Sequence, residues 1–481
     1  MNYRTIRYIL SRVLRIEAVT MLLPLICAFV YGESLNNILS WIASIALCII
    51  SSVLLSFKAP ENKQMFARDG FVTVALSWIL ISVFGCLPFV FSGEIPSFIH
   101  ALFETVSGFT TTGASILTDV EAMSHSFIFW RSFTHWIGGM GVLVFLVALL
   151  PMTGGSNFFL IKAESPGPSV SKLVPKAKST AKILYSIYIT MTVVLICLLW
   201  AGDMNFFEAI IHAFGTAGTG GFGLKNDSVA SYSTFSQIVI TVFMILFGVD
   251  FSLYHLIIMR KGRHVFKSDE FKAYLAIILV SITLICINIR PMFNTLSSCL
   301  VHGAFQVGSI ITTTGFSTTD FDLWPEFSKT ILVILMFVGA CAGSTGGGIK
   351  VSRLLILFKG IAKEIKLIAH PHTTIKVKMN SRLVEHETVR GVNVFMIAYS
   401  LIFFGSVLLI SIDNLDFTSN FTAVAATINN IGPGLSMVGP VQNFSVYSPF
   451  SLVVLTMDML FGRLEISRCC CFFLRIRGKI N

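Results

Sequence analysis

One short pattern occurs four times along this chain, and each time it closes on a glycine. The stretches are Phe98 to Gly113 (FIHALFETVSGFTTTG), Phe206 to Gly221 (FFEAIIHAFGTAGTGG), Leu300 to Gly315 (LVHGAFQVGSIITTTG) and Phe417 to Gly432 (FTSNFTAVAATINNIG). In each the glycine stands fifteen positions after a large apolar residue, and each stretch lies between two long hydrophobic runs. Such a window is too short to cross a bilayer: a helix from Phe98 to Phe109 reaches roughly 18 Å, about half the membrane. The chain must then turn back as an extended strand. Non-helical backbone at that depth is tolerated only where protein buries it or where it lines a watery path. Four such units around one axis give a ring of backbone carbonyls, which can replace the water shell of a dehydrated cation. The C-terminal ends of the half-helices add partial negative charge at the same place.

The rest of the chain suits a membrane. Hydrophobic residues make up 54% of the 481 and charged residues 12%, against roughly 25% charged in soluble domains; the mean hydropathy is +0.79. Apolar runs long enough to span fall near Tyr8–Tyr31, Ile38–Phe57, Phe71–Phe91, Phe127–Met152, Ala181–Trp200, Phe235–Met259, Phe271–Ile289, Thr330–Phe358, Gly391–Ile412 and Pro449–Ile466. Glu17 interrupts the first run and no small-residue cleavage site follows, so it reads as a retained span rather than a signal peptide. The net charge of +10 does not point to nucleic acid. Lys and Arg concentrate at Lys58–Arg68, Lys162–Lys182, Arg260–Lys272, Lys359–Arg390 and Arg463–Lys479, while the opposite loops are acidic. This positive-inside asymmetry places both termini in the cytoplasm and the four glycine segments toward the outer side. The scattered cysteines suit packing in apolar segments, and Cys469, Cys470 and Cys471 lack the spacing of a metal site.

Glycine suits the strand because its free dihedrals let successive carbonyls face one axis, and a preceding threonine adds a hydroxyl. The candidate cation ligands are therefore Thr111, Thr112 and Gly113; Thr219, Gly220 and Gly221; Thr313, Thr314 and Gly315; and Asn430, Ile431 and Gly432. One such segment alone would also suit a helix-ending turn; four in register favour the ring. After the third, the run Gly339-Ala340-Cys341-Ala342-Gly343-Ser344-Thr345-Gly346-Gly347-Gly348 breaks a helix at mid-membrane. Lying under the ring, it is a candidate gate through Gly343, Ser344, Thr345, Gly346, Gly347 and Gly348. Close packing of small residues is the competing explanation. A nucleotide-binding loop is excluded because Ile349 precedes Lys350 and Val351, not Ser or Thr, directly follows it. Lys350 and Arg463 are charges near membrane depth, where such groups face a bundle interior or a wet cavity. Arg463 could bond the glycine loop's carbonyls and hold it closed, or pair with Glu465 at the interface. Arg131 is placed to brace a pore half-helix. His135, His212 and His302 read as packed or locally bonded, and no series of buried carboxylates stands out as a proton path. His370-Pro371-His372 reads as a solvated loop, with a metal site as the alternative.

On the segments TVSGFTTTGAS (Thr105–Ser115), TAGTGGFG (Thr216–Gly223), SIITTTGFST (Ser309–Thr318), TINNIGPGL (Thr427–Leu435), AGSTGGGIK (Ala342–Lys350) and GRLE (Gly462–Glu465), the chain resembles the Trk/Ktr/HKT superfamily of potassium transporters, and within it the TrkH/TrkG branch. The resemblance implies an all-α integral membrane protein with four tandem helix–pore-loop–helix repeats around a pore, preceded by two extra transmembrane helices. That divides the chain into 1–69 (two-helix membrane domain), 70–179, 180–268, 269–387 (with the glycine loop) and 388–481. It implies potassium as the transported ion, with no covalent cofactor; no nucleophile–base pattern and no metal-ligand helix stand out in the sequence, so no enzymatic activity is expected. Further implications are a homodimer with one pore per subunit, a cytosolic nucleotide-binding regulatory ring of TrkA type, and a multi-pass place in the bacterial inner membrane. The glycine loop and Arg463 would form the gate. Glycine at all four filter positions goes with potassium, whereas serine at the first goes with sodium. A secondary transporter for another small solute or for sodium is the competing class. One segment departs from the family: after Ile466 the chain reads SRCCCFFLRIRGKIN where an apolar helix is expected.

Overall fold

The computed structural model describes residues 3–56, 67–141 and 177–464. Glu465, the cysteine triplet and the tail lie outside them, as do the second half of the Phe127–Met152 run and most of two basic loops. Among the described residues the only strands are β1 (Lys378–Met379) and β2 (Arg382–Leu383), an antiparallel pair in the long loop before the last repeat. All other regular structure is helical.

Three helices precede the first repeat: α1 (Tyr3–Thr20), α2 (Leu22–Val30) and α3 (Leu35–Ser56). Their pattern is inverted relative to a soluble bundle. Helix α3 exposes Leu39, Ile42, Ile49 and Leu54 and buries Ser40, Ser44 and Ser52. In lipid the tails are as apolar as leucine, so small and hydroxyl side chains make the helix contacts. Ser52 donates to the Ser11 carbonyl at 2.8 Å and accepts from Arg15 at 2.9 Å, joining α3 to α1.

Four repeats follow. The first is α4 (Ala67–Gly85), α5 (Leu87–Ser92), the short α6 (Phe98–Phe109) and α7 (His125–Met140). The second is α8 (Ala177–Trp200), the short α9 (Phe206–Gly218), α10 (Thr234–Phe247) and α11 (Phe251–Ile258). The third is α12 (Asp269–Ile289), the short α13 (Leu296–Ile311), α14 (Glu326–Phe337) and α15 (Val351–Ala369). The fourth is α16 (His386–Ile410), the short α17 (Phe417–Ile428) and α18 (Pro449–Leu464). Three of the short helices are capped at the N-terminus: Asn205 forms a reciprocal capping box with Glu208, Thr295 accepts from Ser298, and Asp416 accepts from Ser419. Their second halves are buried on all sides, as Phe103 to Phe109 are in α6.

Among the described residues six helical segments are long and apolar enough to cross a membrane, and this is a multi-pass membrane protein. Two further runs are broken. The Phe235–Met259 run, expected as one span, bends by 93° between α10 and α11. Gly248 ends α10, and Asp250 starts α11 by accepting the Ser252 N–H at 2.9 Å. An aspartate capping a new helix inside an apolar run supplies the break. The Thr330–Phe358 run is interrupted from Val338 to Lys350, where its glycines fall. Helix α7 stops at Met140, with Gly141 at φ 82°.

Candidate functional site

The four short helices end in one way. At Thr112, Gly220, Thr314 and Ile431 the N–H reaches back five residues, to the carbonyls of Ser107, Gly215, Ser309 and Ala426, at 2.8–2.9 Å. At the residue before each, the N–H reaches back three, at 3.1–3.2 Å. This is the Schellman ending, which needs a left-handed residue. Here that residue is not glycine but Thr111, Thr219, Thr313 and Asn430, with φ of 57°, 53°, 59° and 55°. Two residues on, Gly113, Gly221, Gly315 and Gly432 have φ of 79°, 80°, 86° and 105°, with an ordinary negative φ between. The expected extended strand is therefore replaced by an alternation of backbone hands. A β-strand sends successive groups to opposite faces; alternation lets successive carbonyls share one.

The four turns close a ring. A Cβ at Gly113 would overlap the Gly220 carbonyl, at Gly221 the Thr314 carbonyl, and at Gly315 the Ile431 carbonyl, while at Gly432 it would come within 2.9 Å of the Thr112 oxygen. Each repeat thus presses its glycine on the carbonyl preceding the next repeat's glycine, and the fourth returns to the first. All four glycines line one cavity of about 140 Å³ on the side of the acidic loops. A ring of backbone oxygens beside a polar vestibule can coordinate a cation stripped of water.

Side chains fix the turns. Thr110 and Thr112 share a hydroxyl contact at 2.8 Å, as do Thr312 and Thr314. The Asn430 amide donates to the Thr112 hydroxyl at 2.9 Å and to the Met459 carbonyl at 3.0 Å, tying the fourth turn to the first. His135 joins the first to the second: Nδ1 lies 2.7 Å from the Gly108 carbonyl and Nε2 accepts the Phe222 N–H at 3.3 Å. A ring that donates at one nitrogen and accepts at the other is neutral. Behind the first turn, Glu104 on α6 meets Arg131 on α7 at 2.7 Å with both side chains buried, and also accepts from Ser115 and from the Ile116 N–H at 3.0 Å. The guanidinium lies 4.1 Å from the centre of the Phe222 ring.

The glycine loop lies against the inner side of the ring. The Gly347 N–H donates to the Thr313 hydroxyl at 2.6 Å. A Cβ on Gly346 would lie 2.9 Å from the Thr312 oxygen, and one on Gly347 2.6 Å from the Asn429 oxygen. Lys350, buried, donates to the carbonyls of Gly346 and Gly347. Arg463 donates to the Thr345 carbonyl at 3.0 Å and to the carbonyls of Gly138 and Gly139, with a longer contact to Thr111. One guanidinium thus spans from the loop to the first repeat. Ser344 bonds within the loop, to the Cys341 carbonyl at 2.6 Å, and Gly343 sits on the far side, 2.7 Å from Asp250 by its missing Cβ.

The residues named from the pattern therefore gather in one place, with Gly343 and Ser344 set back from the ring. Several partners were not foreseen. Glu104 stands nine positions before Gly113, where the other repeats carry His212, Gln306 and Ala423, so the repeat itself gave no signal for it. Buried acids were also missed: Glu17, Asp69, Glu104 and Asp458 are each 3% exposed or less. Glu17 lies in α1, Asp69 and Glu104 in the first repeat and Asp458 in the fourth; Glu104 pairs with Arg131, and Asp458 accepts from Ser406 at 2.8 Å. Among the described residues no cluster of His, Cys, Asp and Glu is set to hold a metal ion, and His370 and His372 are exposed.

A family model described as TrkH, cation transport protein, matches residues 39–477. The Trk system potassium uptake protein TrkH of Escherichia coli K12 is 35% identical over 474 residues, covering 97% of each chain. The Trk system potassium uptake protein TrkG of the same strain is 31% identical over 470 residues, covering 97% of this chain and 96% of that one. The crystal structure of the potassium transporter TrkH from Vibrio parahaemolyticus aligns over 100% of both chains, with a TM-score of 0.89 at 30% identity.

Proposed function

The chain belongs to the TrkH family of cation transport proteins, and from that premise we propose that it carries potassium into the bacterial cell across the inner membrane. The observation that carries this reading is the closed ring of four glycine turns, each seated on the next repeat's carbonyl. Residues 111–113, 219–221, 313–315 and 430–432 form the selectivity filter, and potassium is cargo at their oxygens. The glycine loop, Lys350 and Arg463 form the gate beneath it. A nucleotide-binding cytosolic ring of TrkA type sets the gate, and two copies pair in the membrane with their termini in the cytoplasm. The membrane potential supplies about 2.3 kcal/mol per charge per 100 mV, so inward potassium movement needs no second ion. The protein acts by transport, with no catalytic step.

The test is potassium-limited growth of a bacterial strain stripped of its potassium uptake systems. The parent chain, supplied with a matched regulatory ring, restores growth, and Gly113→Ser weakens the rescue or admits sodium. Membrane-inserted protein that rescues under no condition contradicts potassium uptake and returns weight to a secondary transporter for another small solute or for sodium.

A further inference from the structure

Glu270, in the first turn of α12, touches neither the ring nor Arg463, yet one of its carboxylate oxygens holds both ends of the glycine loop. Oε1 accepts the Ala342 N–H at 2.7 Å, where the loop departs, and the Ser352 N–H at 3.0 Å, where α15 begins. Lys350 gives α15 no side-chain cap, so Glu270 satisfies a first-turn donor from another helix. Between these amides the neck is zipped by backbone pairs, Gly339 N–H to the Ile349 carbonyl at 2.7 Å and Val351 N–H to the Ala340 carbonyl at 3.3 Å. The bent second repeat grips the same loop: Cys341 N–H donates to Gly248, Phe251 N–H to Gly343, and Thr345 N–H to Phe247. The chain leaving that bend runs through α11 and the segment Gly262–Lys267 directly into Glu270. The neighbouring Asp269 binds Lys359 on α15 at 2.8 Å and the Asn380 N–H of the β1–β2 turn at 3.1 Å. The first turn of α12 is therefore a junction between the cytoplasmic hairpin, α15 and the loop.

We infer that Glu270 is the latch of the glycine loop: a positioning residue that holds the loop under the ring by accepting the amides of Ala342 and Ser352 together. This rests on the reading of the loop as the gate. A loop that swings off the path must part those two amides, and one oxygen cannot follow both. The closed arrangement alone satisfies both charge-assisted bonds, so weakening the latch raises flux without touching selectivity.

The experiment measures rubidium uptake into liposomes holding the purified full-length protein with no regulatory partner. Five variants are compared with the parent: Glu270→Ala, Glu270→Asp, Glu270→Gln, a deletion of Ser344–Gly347, and that deletion combined with Glu270→Ala. Glu270→Ala raises partner-free flux about tenfold, equivalent to about 1.4 kcal/mol. Glu270→Asp, one methylene short of bridging both amides, gives a smaller rise. Glu270→Gln keeps an acceptor oxygen but loses the charge, so it too gives a rise smaller than that of Glu270→Ala. The rubidium-to-sodium ratio is unchanged in all three, and Glu270→Ala adds nothing in the deletion background. The Asp and Gln variants carry the test should the Ala variant not fold. A deletion that raises flux while Glu270→Ala and Glu270→Asp do not overturns the latch and leaves the gate. A deletion without effect overturns the gate reading and the latch with it. A shifted ion ratio, or an equal rise in both backgrounds, means Glu270 acts elsewhere.

Discussion

A methyl group added at Gly113 has nowhere to go, and the reason lies in the next repeat. Its carbon would overlap the Gly220 carbonyl oxygen and sit 3.1 Å from the carbonyl carbon. The Gly221 and Gly315 positions meet the Thr314 and Ile431 carbonyls in the same way. At Gly432 the nearest oxygen, the Thr112 carbonyl, is 2.9 Å away, so backbone must yield there too, though by less than at the other three. Left-handed backbone adds a cost of roughly 1–2 kcal/mol for any L-residue at all four positions. The two terms predict an order rather than a uniform loss. Gly432→Ala bears the backbone cost and the milder of the four clashes, at least a factor of roughly 5–30 in the population of the competent ring. Gly113→Ala, Gly221→Ala and Gly315→Ala must also rotate the adjoining peptide and withdraw a carbonyl, so they lose more. The assay is potassium and sodium uptake by each variant in liposomes. Equal damage at all four glycines, or the greatest damage at Gly432, would refute the seating of each glycine on its neighbour's carbonyl.

Other expectations follow from the surrounding contacts. Arg463→Ala removes the bridge from the Thr345 carbonyl to those of Gly138 and Gly139 and raises partner-free flux several-fold; Arg463→Lys restores it only in part, because an ammonium lacks the planar fork. Glu104→Gln leaves Arg131 buried beside an uncharged group, and breaking a buried pair costs about 3–5 kcal/mol; thermal unfolding in detergent reads this as a large fall in Tm, and adding Arg131→Met recovers most of it. Asp416→Ala removes the cap of α17 and costs about 1 kcal/mol. Burial pulls the Asp416 carboxyl upward, but hydrogen bonds from Ser419 and Ser436 outweigh it and hold the group below its ordinary value. A lowered value stabilises the folded protein above the unfolded value, about 3.9, and that stability is lost as pH falls through the folded value. The Tm difference between parent and Asp416→Ala is therefore full at neutral pH and shrinks in strong acid.

Much of this architecture was legible because it is local and repeated. Four glycines at one offset from an apolar residue announce four equivalent turns, and five glycines between Gly339 and Gly348 announce a broken helix. The bend at Gly248–Asp250 was not read, although Asp250 inside an apolar run was its signal; one glycine and one acid are weaker than five glycines. The handedness of Thr111, Thr219, Thr313 and Asn430 was hidden, since threonine seldom adopts it and only the ring's mutual seating enforces it. The Glu104–Arg131 pair, the His135 strap and the Glu270 bridge join residues far apart in sequence. Periodicity within a helix says which face is buried, not which distant residue meets it. Arg463 carried its own signal, a lone base in an apolar run, yet its reach to Gly138 and Gly139 needed the fold.

The proposed site for a dehydrated monovalent cation is the set of oxygens from the four glycine turns. Crystals of the protein grown in rubidium and measured for anomalous scattering test it most directly. The expected result is anomalous density inside the ring formed by the Thr112, Gly220, Thr314 and Ile431 carbonyls, lost when rubidium is replaced by sodium. A ring without density, in crystals where rubidium binds elsewhere along the chain, contradicts it.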